Sequence, residues 1–263
     1  MCNLFELKYD IFGWAQAHED LLHRHLRLPA GAAEGGSNID LTLRQFMYPD
    51  YRGPIVRRGA DGADEVAFAR WGMPSSSEGL YRATVKRADK LRAKGKVIDD
   101  AAFKEMLRVE PDNGTTNVRN TKSRHWAPYL GVENRCLVPL TSFSEPDQVS
   151  GTLEAIWFSF SKERPLAYFA GVHTLDYQCV RKIKTGWETC DLFGFLTTDS
   201  EEPVRTYHDK AMPVILTTAE EVETWLTAPW EEARALQRPL HAGALRVIDR
   251  GRTPSFAAKS ADA

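Results

Sequence analysis

Cysteine is scarce in this 263-residue chain. Only Cys2, Cys136, Cys179 and Cys190 occur, and none stand at C-x-x-C spacing. That spacing argues against a disulfide framework and against a zinc site, so no metal and no cofactor is expected. Long apolar runs are missing too, and none approaches the ~20 residues of a membrane span. The first ten residues are polar and charged, unlike a secretory signal. A reducing cytoplasm is the expected home, where a reactive thiol stays usable. Excess positive charge is absent: 34 Lys and Arg against 36 Asp and Glu give a net charge of −2. This excludes a protein that coats nucleic acid indiscriminately, though not one with a local basic groove. There is no internal repeat and no long low-complexity tract.

What is present is an ordinary globular composition, 43% hydrophobic and 27% charged, enough for an ample core. Short apolar runs rich in Val, Ile, Phe, Tyr and Trp recur at 64–71, 135–143, 155–160, 166–173, 192–198 and 212–216, each bounded by turn residues. They read as strands. A short helix is expected over 14–28, and a loop over the Gly/Ala-rich Gly31 to Ser37. Thr218-Ala219-Glu220-Glu221 is a capping box that starts another helix. Strands dominate without regular βαβ alternation. The expected class is α+β: a strand-rich mixed or antiparallel sheet with a distorted barrel-like core and flanking helices. One domain is expected over 1–250, followed by a disordered tail over 251–263.

Residues 80–96 form a basic helix. Leu80, Thr84, Ala88 and Leu91 make its apolar stripe, while Arg82, Lys86, Lys90 and Lys94 fall four apart on one ridge and Gly95 ends it. Such a face is either solvated or in contact with phosphate.

The chemistry begins at the start of the chain. Loss of Met1 would leave Cys2 with a free α-amine and a thiol on neighbouring carbons, a pair that no interior cysteine has. The amine condenses with an aldehyde to an imine, which the thiol closes to a thiazolidine; alternatively the amine acts as base for the thiol. Four further segments carry polar residues at strand ends or turns. Arg70-Trp71-Gly72-Met73-Pro74 offers Trp71 and Met73 for stacking on or wedging between bases. Thr116 to Thr121, with Ser123-Arg124-His125-Trp126, has the side chains that bind phosphate and sugar. The strand from Arg135 delivers Glu145 at its far end, with Cys136 a buried core residue. His208 precedes an apolar strand and is suited to proton transfer near neutrality.

In this order the segments resemble the SOS response-associated peptidase (SRAP) family, the sensors of abasic sites in single-stranded DNA. The resemblance spans about residues 1–250. It rests on Met-Cys, the Trp71-Gly72-Met73-Pro74 turn, Asn117-Val118-Arg119, the Arg135 to Glu145 strand, Leu192 to Thr198 and His208 to Leu216. It implies that Cys2 forms a thiazolidine with the ring-opened abasic deoxyribose. Asn117 would position the sugar or the Cys2 terminus, Glu145 would deprotonate the α-amine, and His208 would shuttle the proton that opens the sugar ring. Arg119 would bind a flanking phosphate, with Trp71, Met73, Pro74 and Arg124 also on the DNA. The implied partner is abasic single-stranded DNA, bound by a monomer that is nucleoid-associated when on DNA. Lyase activity and self-processing are also implied. Asn3 and Leu4 depart from the Gly and Arg frequent in the family, Pro146 replaces an aromatic residue, and a basic helical insertion occupies about 78–113.

Two rivals stand beside this reading. An N-terminal-nucleophile amidohydrolase or self-processing peptidase would also start at Cys2, but needs an oxyanion hole, and no Gly-rich element adjoins Cys2. A non-covalent single-strand-binding module would leave Cys2 a bystander.

Overall fold

The computed structural model describes residues 2–29 and 43–251; the expected Gly31 to Ser37 loop, the 252–263 tail and Met1 lie outside them. The described strands are β1 (Leu4–Glu6), β2 (Leu26–Arg27), β3 (Phe46–Met47), β4 (Arg52–Arg58), β5 (Asp64–Trp71), β6 (Asn117–Val118) and β7 (Arg135–Leu140). They continue with β8 (Ser142–Pro146), β9 (Ala155–Ser159), β10 (Ala167–Val180), β11 (Trp187–Thr198), β12 (Met212–Pro213), β13 (Ile215–Leu216) and β14 (Arg246–Arg250). The helices are α1 (Ile11–Leu22), α2 (Ser77–Arg92), α3 (Asp100–Arg108), α4 (Ala219–Thr227) and α5 (Trp230–Ala233).

Strands β11, β10, β7, β4 and β5 follow one another, and β5 returns to β11 in parallel register through Arg70↔Leu192 and Trp71↔Phe193. Closing the sheet removes its free edges. A second sheet runs β14-β9-β8-β1-β3. The architecture is the α+β, barrel-centred one expected from the strand runs.

The 135–143 run is two strands rather than one. It breaks at Thr141, where the backbone N–H donates to the Glu6 carbonyl at 2.7 Å. Here the chain leaves the barrel as β7 and enters the second sheet as β8, which carries Glu145. The 212–216 run also divides, at Val214: β12 pairs with β11 and β13 with β10. Strand β10 outruns its expected end because a bulge between Thr174 and Tyr177 lets the polar second half keep pairing with β11. Helix α1 starts earlier than expected, at Ile11, where the Asp10 carboxylate accepts from the Gly13 N–H at 2.7 Å. The Thr218 cap forms as expected, its hydroxyl accepting from the Glu221 N–H.

The basic helix is α2, and its stripe is real: Thr84 and Ala88 are buried. Tyr81 meets Phe103 of α3 edge-on at 5.6 Å. The basic surface of this helix is less free than the sequence implied. Arg82 pairs with Glu78, Arg92 with Asp89, and Arg87 with the buried carboxylate of Glu110.

The turn after β5 requires the largest correction. Trp71, Met73 and Pro74, expected against bases, are buried, Trp71 and Met73 with 0% exposure. The Trp71 indole stacks on Phe193 and Phe195, meets Phe5 edge-on and donates to the Thr116 carbonyl at 3.1 Å. A ring so enclosed and held at its N–H has no face left for a base. It anchors the core between the barrel and the second sheet, with Phe5, Phe143, Phe158, Phe169 and Cys136. The second core packs around Trp14, Tyr168 and Trp225 on the helical side.

Candidate active site

Strands β6 and β8, with the segments before β1 and β12, deliver four of the candidate residues to one place. Leu4 of β1 pairs with Ser144 of β8, so the register continues Asn3 toward Glu145 and brings Cys2 beside that carboxyl. From the barrel side, β6 is held parallel to β11 by Phe195↔Asn117. Asn117 Nδ2 donates to the Cys2 carbonyl at 2.9 Å and to Thr116 Oγ1 at 2.7 Å. His208 Nε2 stands 3.9 Å from Glu145 Oε2. Cys2, Glu145 and His208 are fully or almost fully buried, and Asn117 is 6% exposed.

Burial sets the protonation of this cluster. It pushes the Glu145 carboxyl from its ordinary 4.5 up to about 7. Burial pushes the Cys2 thiol up as well, helped by the Glu145 charge. The imidazole of His208 is held below its usual value by burial. His208 Nδ1 lies 2.9 Å from the Ala211 carbonyl, which can only accept, so the ring proton sits on Nδ1. The unprotonated Nε2 therefore faces Glu145. A carboxyl that titrates near neutrality beside an imidazole lone pair is an acid–base pair poised at working pH.

An open cleft of about 620 Å³ is lined by chain neighbours of this cluster. Its lining includes Asn3, Thr116, Ser144 and Pro146, the immediate neighbours of Cys2, Asn117 and Glu145.

The model of the SOS response associated peptidase (SRAP) family matches residues 16–249. The chain belongs to that family. Cys2 precedes the matched stretch, and its assignment rests on the geometry. Solved structures share the SRAP chain's fold. One is a Bordetella bronchiseptica protein, 22% identical with TM-score 0.60, covering 93% of this chain and 97% of that one. Another, from Bacteroides thetaiotaomicron, is 19% identical with TM-score 0.60, covering 93% and 90%. A phage-related Bordetella bronchiseptica protein is 17% identical with TM-score 0.51, covering 90% and 87%. No curated protein matches. SRAP membership supports a DNA-damage-associated role and interaction with DNA. Among the described residues no helix is long and apolar enough to cross a membrane, and no cluster could hold a metal ion.

The remaining candidates of this SRAP chain are scattered. Arg119 is close to Asn117 in sequence but turns outward, donating to the Thr198 carbonyl and pairing with Asp199. Arg124 is exposed. The neighbouring His125 Nε2 donates to the Pro74 carbonyl at 2.9 Å, tying that loop to the turn after β5. Three contributors were not foreseen. Thr116 holds both Asn117 and the Trp71 indole. Arg181, buried, donates to the Gly72 and Asp112 carbonyls. Gly114, at φ +77°, lets its loop approach Gly72 so closely that a Cβ there would stand 2.8 Å from the Gly72 Cα. No sequence motif marks these roles, because each depends on a neighbour distant in the chain.

Proposed function

We propose that this SRAP protein captures abasic sites in single-stranded DNA through a thiazolidine formed at Cys2 after loss of Met1. With Met1 attached the Cys2 nitrogen is an amide and cannot attack. The reading is carried by one observation: Asn117 holds the Cys2 carbonyl beside the buried Glu145–His208 pair.

Each residue then has a task. The sugar ring opens when a proton moves onto its ring oxygen and off its 1′ hydroxyl, for which Glu145 and His208 Nε2 supply a donor and an acceptor. Glu145 takes the proton of the α-ammonium, whose ordinary value near 8 makes transfer to a carboxyl at about 7 almost even. The neutral amine adds to C1′, and the carbonyl oxygen leaves as water, giving an imine. The Cys2 thiol then adds across it, sulfur to carbon and proton to nitrogen. One water is released and nothing is oxidised. Asn117 fixes the Cys2 carbonyl so that both nucleophiles stay aligned. Arg119 and Arg124 serve flanking phosphates, Arg119 after exchanging Asp199 for DNA.

The test is incubation with a single-stranded oligonucleotide carrying one abasic site, followed by denaturing electrophoresis. A denaturant-resistant adduct is expected from the parent, none from Cys2→Ala, and a rate lower by roughly 10²–10⁴-fold from Glu145→Gln. An adduct formed at the parent's rate by Cys2→Ala would defeat the proposal.

A further inference from the structure

Many large aromatics of this chain are buried, but two beside the cleft are not. Tyr48 is 40% exposed and Tyr51 41%, their rings 5.5 Å apart and tilted at 60°. They close one tight turn, Tyr48-Pro49-Asp50-Tyr51, in which the Tyr51 N–H donates to the Tyr48 carbonyl at 3.1 Å. Asp50 takes a positive φ of 68°, and the turn is pinned to the core on both sides of it. The Asp50 N–H donates to the Trp71 carbonyl at 2.8 Å and the Trp71 N–H to the Tyr51 carbonyl at 2.9 Å. The Arg44 guanidinium caps the Tyr51 ring 5.1 Å from its centroid. Phe5 pairs with Met47, so Tyr48 falls across from Leu4, about 7 Å of strand from Cys2. Tyr48 and Pro49 line the same cleft as Asn3 and Leu4.

The lining residues of that cleft include no Lys, Arg, Asp or Glu. Its chemistry suits a flat, weakly polar group rather than a phosphate. On the DNA reading above, an abasic nucleotide leaves each neighbouring base with one face unstacked. We infer that Tyr48 and Tyr51 form a stacking platform for the nucleobase next to the captured sugar, with Arg44 beside it. The platform stands in for the role the sequence assigned to Trp71, which instead holds the tyrosine turn rigid from behind through its backbone.

The experiment uses the Cys2→Ala protein and single-stranded DNA in which a tetrahydrofuran abasic analogue, having no aldehyde, is flanked by 2-aminopurine. Stacking on the rings should quench the 2-aminopurine. Tyr48→Leu and Tyr51→Leu should each remove part of the quenching and weaken binding by about 10-fold, while Tyr→Trp at either position restores both. A strand composed only of the abasic analogue should bind the parent and the Leu variants alike. Unchanged affinity and quenching in the Leu variants, equal loss on the base-free strand, or no quenching by the parent would each overturn the platform. Adduct formation by the protein with Cys2 intact is scored separately, so failure of the covalent chemistry and failure of the platform are told apart.

Discussion

Replacing Glu145 by glutamine should make the protein more stable at alkaline pH while disabling it. The carboxyl is fully buried and raised from 4.5 to about 7 by desolvation. Between those values the unfolded chain has released a proton that the folded chain retains. Stability therefore falls as pH rises across this window, and the loss is complete above about 8. At about 1.4 kcal/mol per pH unit the gap amounts to ~3 kcal/mol. The glutamine side chain has nearly the same shape as the glutamate it replaces and never ionises. The assay is urea unfolding of both proteins from about pH 4 to about pH 9. The Glu145→Gln protein should gain on the parent by ~3 kcal/mol between about pH 4.5 and about pH 8, while its adduct yield collapses. Parallel stability curves would show that Glu145 does not hold its proton to about 7, and the acid–base role would lose its basis.

Other perturbations separate site from scaffold. Asn117→Ala removes the donor to the Cys2 carbonyl and should slow adduct formation by about 10- to 100-fold at a stability cost of about 1–2 kcal/mol, read by single-turnover kinetics and urea unfolding. Trp71→Phe leaves the Thr116 carbonyl without its indole donor and should lower stability by about 1–3 kcal/mol, with DNA affinity per folded molecule nearly unchanged. Arg119→Ala should weaken binding to all sequences alike and reduce the salt slope by about one, and Asp199→Ala should strengthen it, both measurable by salt titration. Adduct formation by the parent should rise with pH through about 7 as Glu145 becomes a base, and Glu145→Gln should lose that rise.

The sequence disclosed strands where apolar residues run unbroken, such as 64–71, which matches β5. It did not disclose β4, whose Arg52–Arg58 stretch looks like a charged turn until its pairing with β5 and β7 is known. The bend at Thr141 was invisible because the β-prone pattern continues from Leu140 past Thr141-Ser142 to Phe143; only the Glu6 carbonyl, brought in from the start of the chain, fixes it. Cys2, Glu145 and His208 were singled out from the chemistry of their side chains, and the role of Asn117 was implied by the family resemblance. Trp71 was misplaced for the opposite reason. A Trp at a strand end suits a base or a core equally well, and the aromatic ring of Phe193 that decides between them comes from β11. Tyr48 and Tyr51 were not singled out in the sequence, because their exposure is a property of the fold alone.

The most direct measurement is the intact mass of the purified protein, before and after incubation with an abasic single strand. The account requires a chain lacking Met1, then a species equal to that chain plus the oligonucleotide less one water, absent for Cys2→Ala. A protein that retains Met1 and still gains the oligonucleotide, or one that lacks Met1 and gains nothing, would contradict it.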